Sequence, residues 1–175
     1  VALQVVTATA GAMLIALVLT VLINWLTRKS ASCSTSFIVA AALNGLIWFG
    51  DGISGNHLTF NSPLTMNALV AGRFYGVSNT AFAFGAVGAM IALLAWADWL
   101  KSRYSMRISL LAVSGVGLLL VIADAAPFLG ADLGGALALI PTLGVALVKL
   151  SGRSLHPRIL ALLGLISAGL LSGVA

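Results

Sequence analysis

Charge is the scarcest property of this chain. Only 7% of its 175 residues are Asp, Glu, Lys or Arg, against 61% hydrophobic, and mean hydropathy is +1.13. A soluble domain carries about 25% charged residues, because its surface must face water. A chain this poor in charge belongs in a bilayer. Cysteine is nearly absent too. Cys33 is the single one, which excludes an internal disulfide and a metal site built on paired thiols. It reads as a small residue in a cytoplasmic loop. No basic stretch precedes the membrane-like start VALQVVTATAGAML, so that segment is not an intact signal peptide. A chain that begins this way is expected to be a piece of a longer protein. There is no nucleophile-elbow motif and no convincing internal repeat. The whole of 1–175 reads as a single transmembrane domain.

The net charge of +5 would point to nucleic acid in a soluble protein. Here no basic run is interleaved with aromatics, so nucleic acid is not an expected partner. The nine Lys and Arg residues instead cluster between apolar stretches. Those stretches cover about 1–27, 37–50, 68–100, 108–123, 133–150 and 159–175. Each is long enough, or nearly so, for a helix to cross a bilayer, which takes about 20 apolar residues. None alternates polar and apolar as barrel strands do. The expected fold is therefore all-α: a polytopic integral membrane protein of about six transmembrane helices.

Topology follows from the basic residues. Arg28 and Lys29 come after the first stretch, Lys101, Arg103 and Arg107 after the third, and Lys149, Arg153 and Arg158 between the fifth and sixth. Alternating crossings put all three clusters on one side, which the positive-inside rule makes cytoplasmic. The expected location is the plasma membrane. Trp25, Trp96 and Trp99 then fall near inner ends and Trp48 near an outer end, as expected of interfacial tryptophan.

Arg73 is the exception, mapping outside with three of the four acidic residues, Asp51, Asp124 and Asp132. If the helix ran on from 68, Arg73 would lie 26 residues, or roughly 39 Å, from Trp99. That exceeds the ~30 Å hydrocarbon core, so Arg73 would sit at headgroup level. Two readings of it stand: a structural arginine paired with Asp124 or Asp132, or a contact for an anionic group such as a lipid phosphate, with Tyr75 and Asn79 adding polar contacts. The outer segments DGISGNHLTFNSPLTMN and ADAAPFLGADLGG read as irregular or re-entrant structure. His57 is the outer histidine and, like Asp51, a polar loop residue; alone it makes no zinc site, and neither metal nor cofactor is expected. Gly72 and Gly76 form GxxxG around Arg73, and Gly130 and Gly134, with Gly135 beside them, form another around Asp132. This spacing serves close helix packing. Asn44 reads as an interhelical hydrogen-bonder, and Pro141, inside the fifth helix, as a residue that frees the Leu137 carbonyl and kinks that helix.

GRFYGVSN at 72–79, followed by PFLGADLGG at 127–135, resembles a group of polytopic membrane proteins of Gram-positive bacteria. That group has an RFYG-x-x-N motif and a later LGA-[DN]-x-GG segment, and some members are linked to alkaline-phosphatase-like domains. The resemblance covers about 68–150. It lands on Arg73, Phe74, Tyr75, Gly76 and Asn79, then on Gly130, Asp132, Gly134 and Gly135. It implies one module of a bacterial plasma membrane concerned with the envelope, and no defined activity. No phosphatase-like domain is present in this sequence. Three functions follow as expectations. The first is an envelope-related membrane module whose extracytoplasmic polar site binds an anionic lipid or lipid-linked glycan. The second is a transporter or channel with a path near Arg73, Asp124 and Asp132. The third is a structural subunit whose partners are other proteins of a membrane complex. The sequence names no reaction.

Overall fold

The computed structural model describes residues 2–26, 33–58, 78–129 and 132–172. These form six helices: α1 (Ala2–Leu26), α2 (Cys33–Ser54), α3 (Asn79–Arg103), α4 (Met106–Ala125), α5 (Leu133–Leu150) and α6 (Pro157–Ser172). No strand occurs among the described residues. Four helices, α2 to α5, are long and apolar enough to cross a membrane, and α1 and α6 contain shorter apolar stretches. Large apolar side chains face outward along them: Leu111 is 73% exposed, Leu119 65% and Val87 61%. In water such faces would be a heavy liability; in lipid they meet a solvent as apolar as themselves. The chain has the build of a helical membrane protein.

The helix ends follow local chemistry. Ser78 caps α3 in an extended conformation, its hydroxyl accepting the Ala81 N–H at 3.1 Å. Ser105 does the same for α4 through Ile108. A serine oxygen satisfies one of the orphan donors of a first turn. The cap at Ser78 corrects the expectation of one helix from 68 to 100: α3 begins at Asn79. From Asn79 to Trp99 is roughly 30 Å of helix, which matches the hydrocarbon core. α2 is longer than expected at both ends. Cys33 is its first residue rather than a loop residue, and its last turn takes in Asp51. It stops where Gly55 takes φ of 108°, and the Asn56 N–H then bonds back to the Asp51 carbonyl at 2.8 Å. This is the six-to-one closure of a glycine-terminated helix.

α3 is the centre, packing on α2, α4 and α5; among the described residues α1 touches α2 alone and α6 touches α5 alone. Leu93 and Ala97 of α3 meet Val113 of α4 and Leu143 of α5 in a buried cluster. Ser109, fully buried, donates to the Ala97 carbonyl at 2.8 Å and ties α4 to α3. The backbones of α2 and α3 approach each other closely. There, a Cβ added at Gly45 would lie 2.8 Å from the Ala89 nitrogen, and one at Gly88 would lie 2.5 Å from the Ala41 carbonyl oxygen. Asn44 donates across this seam to the Phe84 carbonyl at 2.6 Å. Asn44→Ala removes that bond. The expected loss is about 1 kcal/mol, in the range of interhelical hydrogen bonds in membranes, read as a lower unfolding midpoint in mixed detergent micelles.

Pro141 lies inside α5 and cannot donate to the carbonyl one turn back. The neighbouring Thr142 hydroxyl donates to the Ala138 carbonyl at 2.7 Å.

Candidate functional site

The bundle is polarised. The C-terminal ends of α3 and α5 lie together, with Asp98, Lys101 and Lys149 along one groove. At the other end the last turns of α2 and α4 meet the first turns of α3 and α5. This second end carries Asp51, Asp124 and Asp132, which are 3%, 2% and 1% exposed. Placing ionisable side chains this deep is costly, and doing so three times at one end of an otherwise apolar bundle marks the candidate site.

Asp124 and Asp132 form its centre. Asp124 is in the last turn of α4, not in a loop as the sequence suggests, and Asp132 is the N-cap of α5. The chain reverses between them through a turn in which the Leu129 N–H bonds the Ala126 carbonyl at 2.9 Å. It closes where the Asp132 N–H donates to the Asp124 carbonyl at 2.8 Å. Asp132 thus stands at a helix N-terminus, where the backbone dipole favours negative charge. Its carboxylate makes no capping hydrogen bond to the helix.

Gly135 permits the approach of α5. A Cβ there would press on the Asp124 carboxylate and come within 2.6 Å of the Phe82 ring. Gly134 is exposed, and a Cβ on it would meet only the Asp132 carboxylate at 3.4 Å. Of the two, only Gly135 sits at a helix contact.

Asp51 is differently employed. Its carboxylate accepts the Leu58 N–H at 2.8 Å, and its carbonyl accepts from the Ser54 hydroxyl at 3.1 Å. It folds the 55–58 turn back onto the end of α2. His57 is exposed within that turn. Among the described residues, no three His, Cys, Asp or Glu side chains come together as metal ligands would.

Aromatic residues wall the Asp124 side chain. Trp48 and Phe49 of α2 and Phe82 of α3 surround a cavity of about 10 Å³ that also touches Gly52 and Gly85. That is room for one water molecule at most. Sequence reading missed Phe82 and Gly85. The available signal was the run of small residues Ala81, Gly85 and Ala89 at four-residue spacing, a pattern that brings helix backbones together.

Asn79 is the first residue of α3 and exposed. Arg73, Tyr75, Gly72, Gly76 and Gly130 lie outside the described residues. With α3 starting at Asn79, the helical measure of Arg73 against Trp99 no longer applies.

No family model matches this chain, and no curated protein or solved structure matches it significantly.

Proposed function

We propose that this protein is a plasma-membrane module whose acidic end carries a polar site for the headgroup of an anionic lipid or lipid-linked glycan, with Arg73 as the contact for the anionic group. The observation that carries the proposal is the meeting of buried Asp124 and Asp132, from two helices, beneath an aromatic wall, with Asp51 at the same end. Carboxylates in a low-dielectric environment call for a cation nearby. Eight of the nine Lys and Arg residues lie in the last turns of α3 and α5 or in the stretches that follow α1, α3 and α5, and Arg73, between α2 and α3 in the sequence, is the ninth. In this reading Asp124 and Asp132 orient the guanidinium, and its remaining donors face outward to a phosphate or carboxylate.

The full topology belongs to the same proposal: six crossings, with the basic clusters cytoplasmic and the acidic end extracytoplasmic. The positive-inside rule supports it, and so does the shared groove at the C-terminal ends of α3 and α5. The kinship with envelope proteins of Gram-positive bacteria is part of it as well, resting on the RFYG-x-x-N and LGA-[DN]-x-GG motifs. A transporter path has less support, since Asn44, the polar residue midway along α2, is turned to a backbone carbonyl.

The test is lipid retention. Wild-type protein extracted from native membranes is expected to keep a phosphate- or glycan-bearing lipid in native mass spectrometry. Arg73→Lys is expected to lose it while remaining monodisperse, because an ammonium cannot reproduce the planar fork. Full retention by Arg73→Lys, together with misfolding of Arg73→Ala, would make the residue structural and sink the proposal.

A further inference from the structure

At the basic end, α3 and α5 leave a groove of about 470 Å³ between them. Its walls are apolar, from Met90 and Leu94 on one side and Val145 and Leu150 on the other. Its mouth carries Lys101 and Lys149, both exposed, with Asp98 beside them. Two cations therefore face one carboxylate across an opening that leads into an oily slot.

The depth of the slot identifies what fills it. Met90 and Lys101 are eleven residues apart on α3, roughly 16 Å of helix. Thr142, which also lines the groove, and Lys149 are seven apart on α5, roughly 10 Å. Half of a ~30 Å hydrocarbon core is about 15 Å. With the two lysines at headgroup level, the groove reaches to about the bilayer midplane. A transmembrane helix from another protein would need a face running the full depth. A phospholipid occupies one leaflet, its acyl chain ending at the midplane and its phosphate at the level of the lysines.

We propose that this groove is a binding site for one anionic phospholipid of the leaflet at the basic end, its phosphate held by Lys101 and Lys149 and one acyl chain lying between α3 and α5. The site is separate from the acidic end and does not depend on the function proposed for it. Basic pockets between membrane helices are suited to such headgroups, each lysine contributing about 1 kcal/mol near an anionic surface. The Thr142 hydroxyl is spent on its own helix, so it adds little free polarity to the slot.

The experiment uses the full chain in phosphatidylcholine nanodiscs with phosphatidylglycerol added, and native mass spectrometry of the lipid retained after extraction. Wild type is expected to retain phosphatidylglycerol over phosphatidylcholine. Lys101→Gln with Lys149→Gln is expected to lower that preference by roughly tenfold to thirtyfold; both side chains are exposed, so the fold does not depend on them. Leu94→Trp fills the slot without altering charge and is expected to lower retention as well. Arg103→Gln with Arg107→Gln removes the same charge from the same end outside the groove and is expected to change little. The proposal is overturned if wild type shows no preference. It is equally overturned if the arginine pair matters as much as the lysine pair, or if Leu94→Trp binds as wild type does. The last two results would mean a diffuse surface attraction.

Discussion

Gly88→Leu is expected to be among the most damaging single substitutions in the bundle. Gly88 sits where the backbones of α2 and α3 approach each other closely. A Cβ there would stand 2.5 Å from the Ala41 carbonyl oxygen, 2.7 Å from Asn44 Nδ2 and 3.0 Å from the Gly45 nitrogen. Two of these are backbone atoms, which no side-chain rotation can move away. The helices must part, and Asn44 loses its reach to the Phe84 carbonyl. Overpacking a close-packed interior costs about 1–3 kcal/mol and occasionally more; with the hydrogen bond also lost, at least about 3 kcal/mol is expected here. Unfolding in mixed micelles measures it. Gly115→Leu is the matched comparison: Gly115 is exposed on α4 with nothing within 4 Å of the added Cβ, and its midpoint should hold or rise. Equal effects from the two would mean that the seam is not the tight contact described.

The second large effect is expected from neighbouring glycines. Gly135→Ala places a methyl group against the Asp124 carboxylate and 2.6 Å from the Phe82 ring, whereas Gly134→Ala meets only the Asp132 carboxylate at 3.4 Å. The Phe82 ring can turn, but Asp124 is 2% exposed and boxed in by Trp48 and Phe82. The end of α5 is expected to shift outward, loosening the hydrogen bond from Asp132 to the Asp124 carbonyl. Gly135→Ala should cost about 1–3 kcal/mol and weaken any headgroup retention at the acidic end. Gly134→Ala should be close to neutral in both measurements. If the two behave alike, the approach of α5 to Asp124 is not what shapes this end.

Both predictions concern glycines, and the sequence treats them unevenly. Gly134 and Gly135 stand side by side in LGADLGG and read alike as packing residues, yet one is exposed and the other pressed onto a carboxylate. Which glycine faces inward depends on the rotation of α5 about its axis. That rotation is set by where Asp132 caps it and by Leu139 and Leu143 seeking the core. A helix apolar on nearly every side carries little periodic signal of which face is buried. The same holds for Gly88 and Gly45, whose role shows only when the two helices meet.

What the sequence by itself determined is the class of structure. Scarce charge and long apolar runs leave helices in a bilayer as the stable outcome, because every backbone group must be satisfied within its own segment. It places α5 at about 133–150, as observed, and marks Asn44 as a hydrogen-bonder between helices. The tertiary structure decided the rest. Asp51 and Asp124 read as loop residues because the segments they open are rich in Gly, Pro and small polar residues. Both lie instead in last helical turns, buried, because Gly55 carries the end of α2 past Asp51 and the Asp132 N–H draws the chain back onto Asp124. The groove beneath Lys101 and Lys149 joins residues some fifty positions apart, and only the packing of α3 against α5 brings them together. Local chemistry dictates where a helix starts and stops, but which side chains share a site is settled by how the faces of separate helices meet.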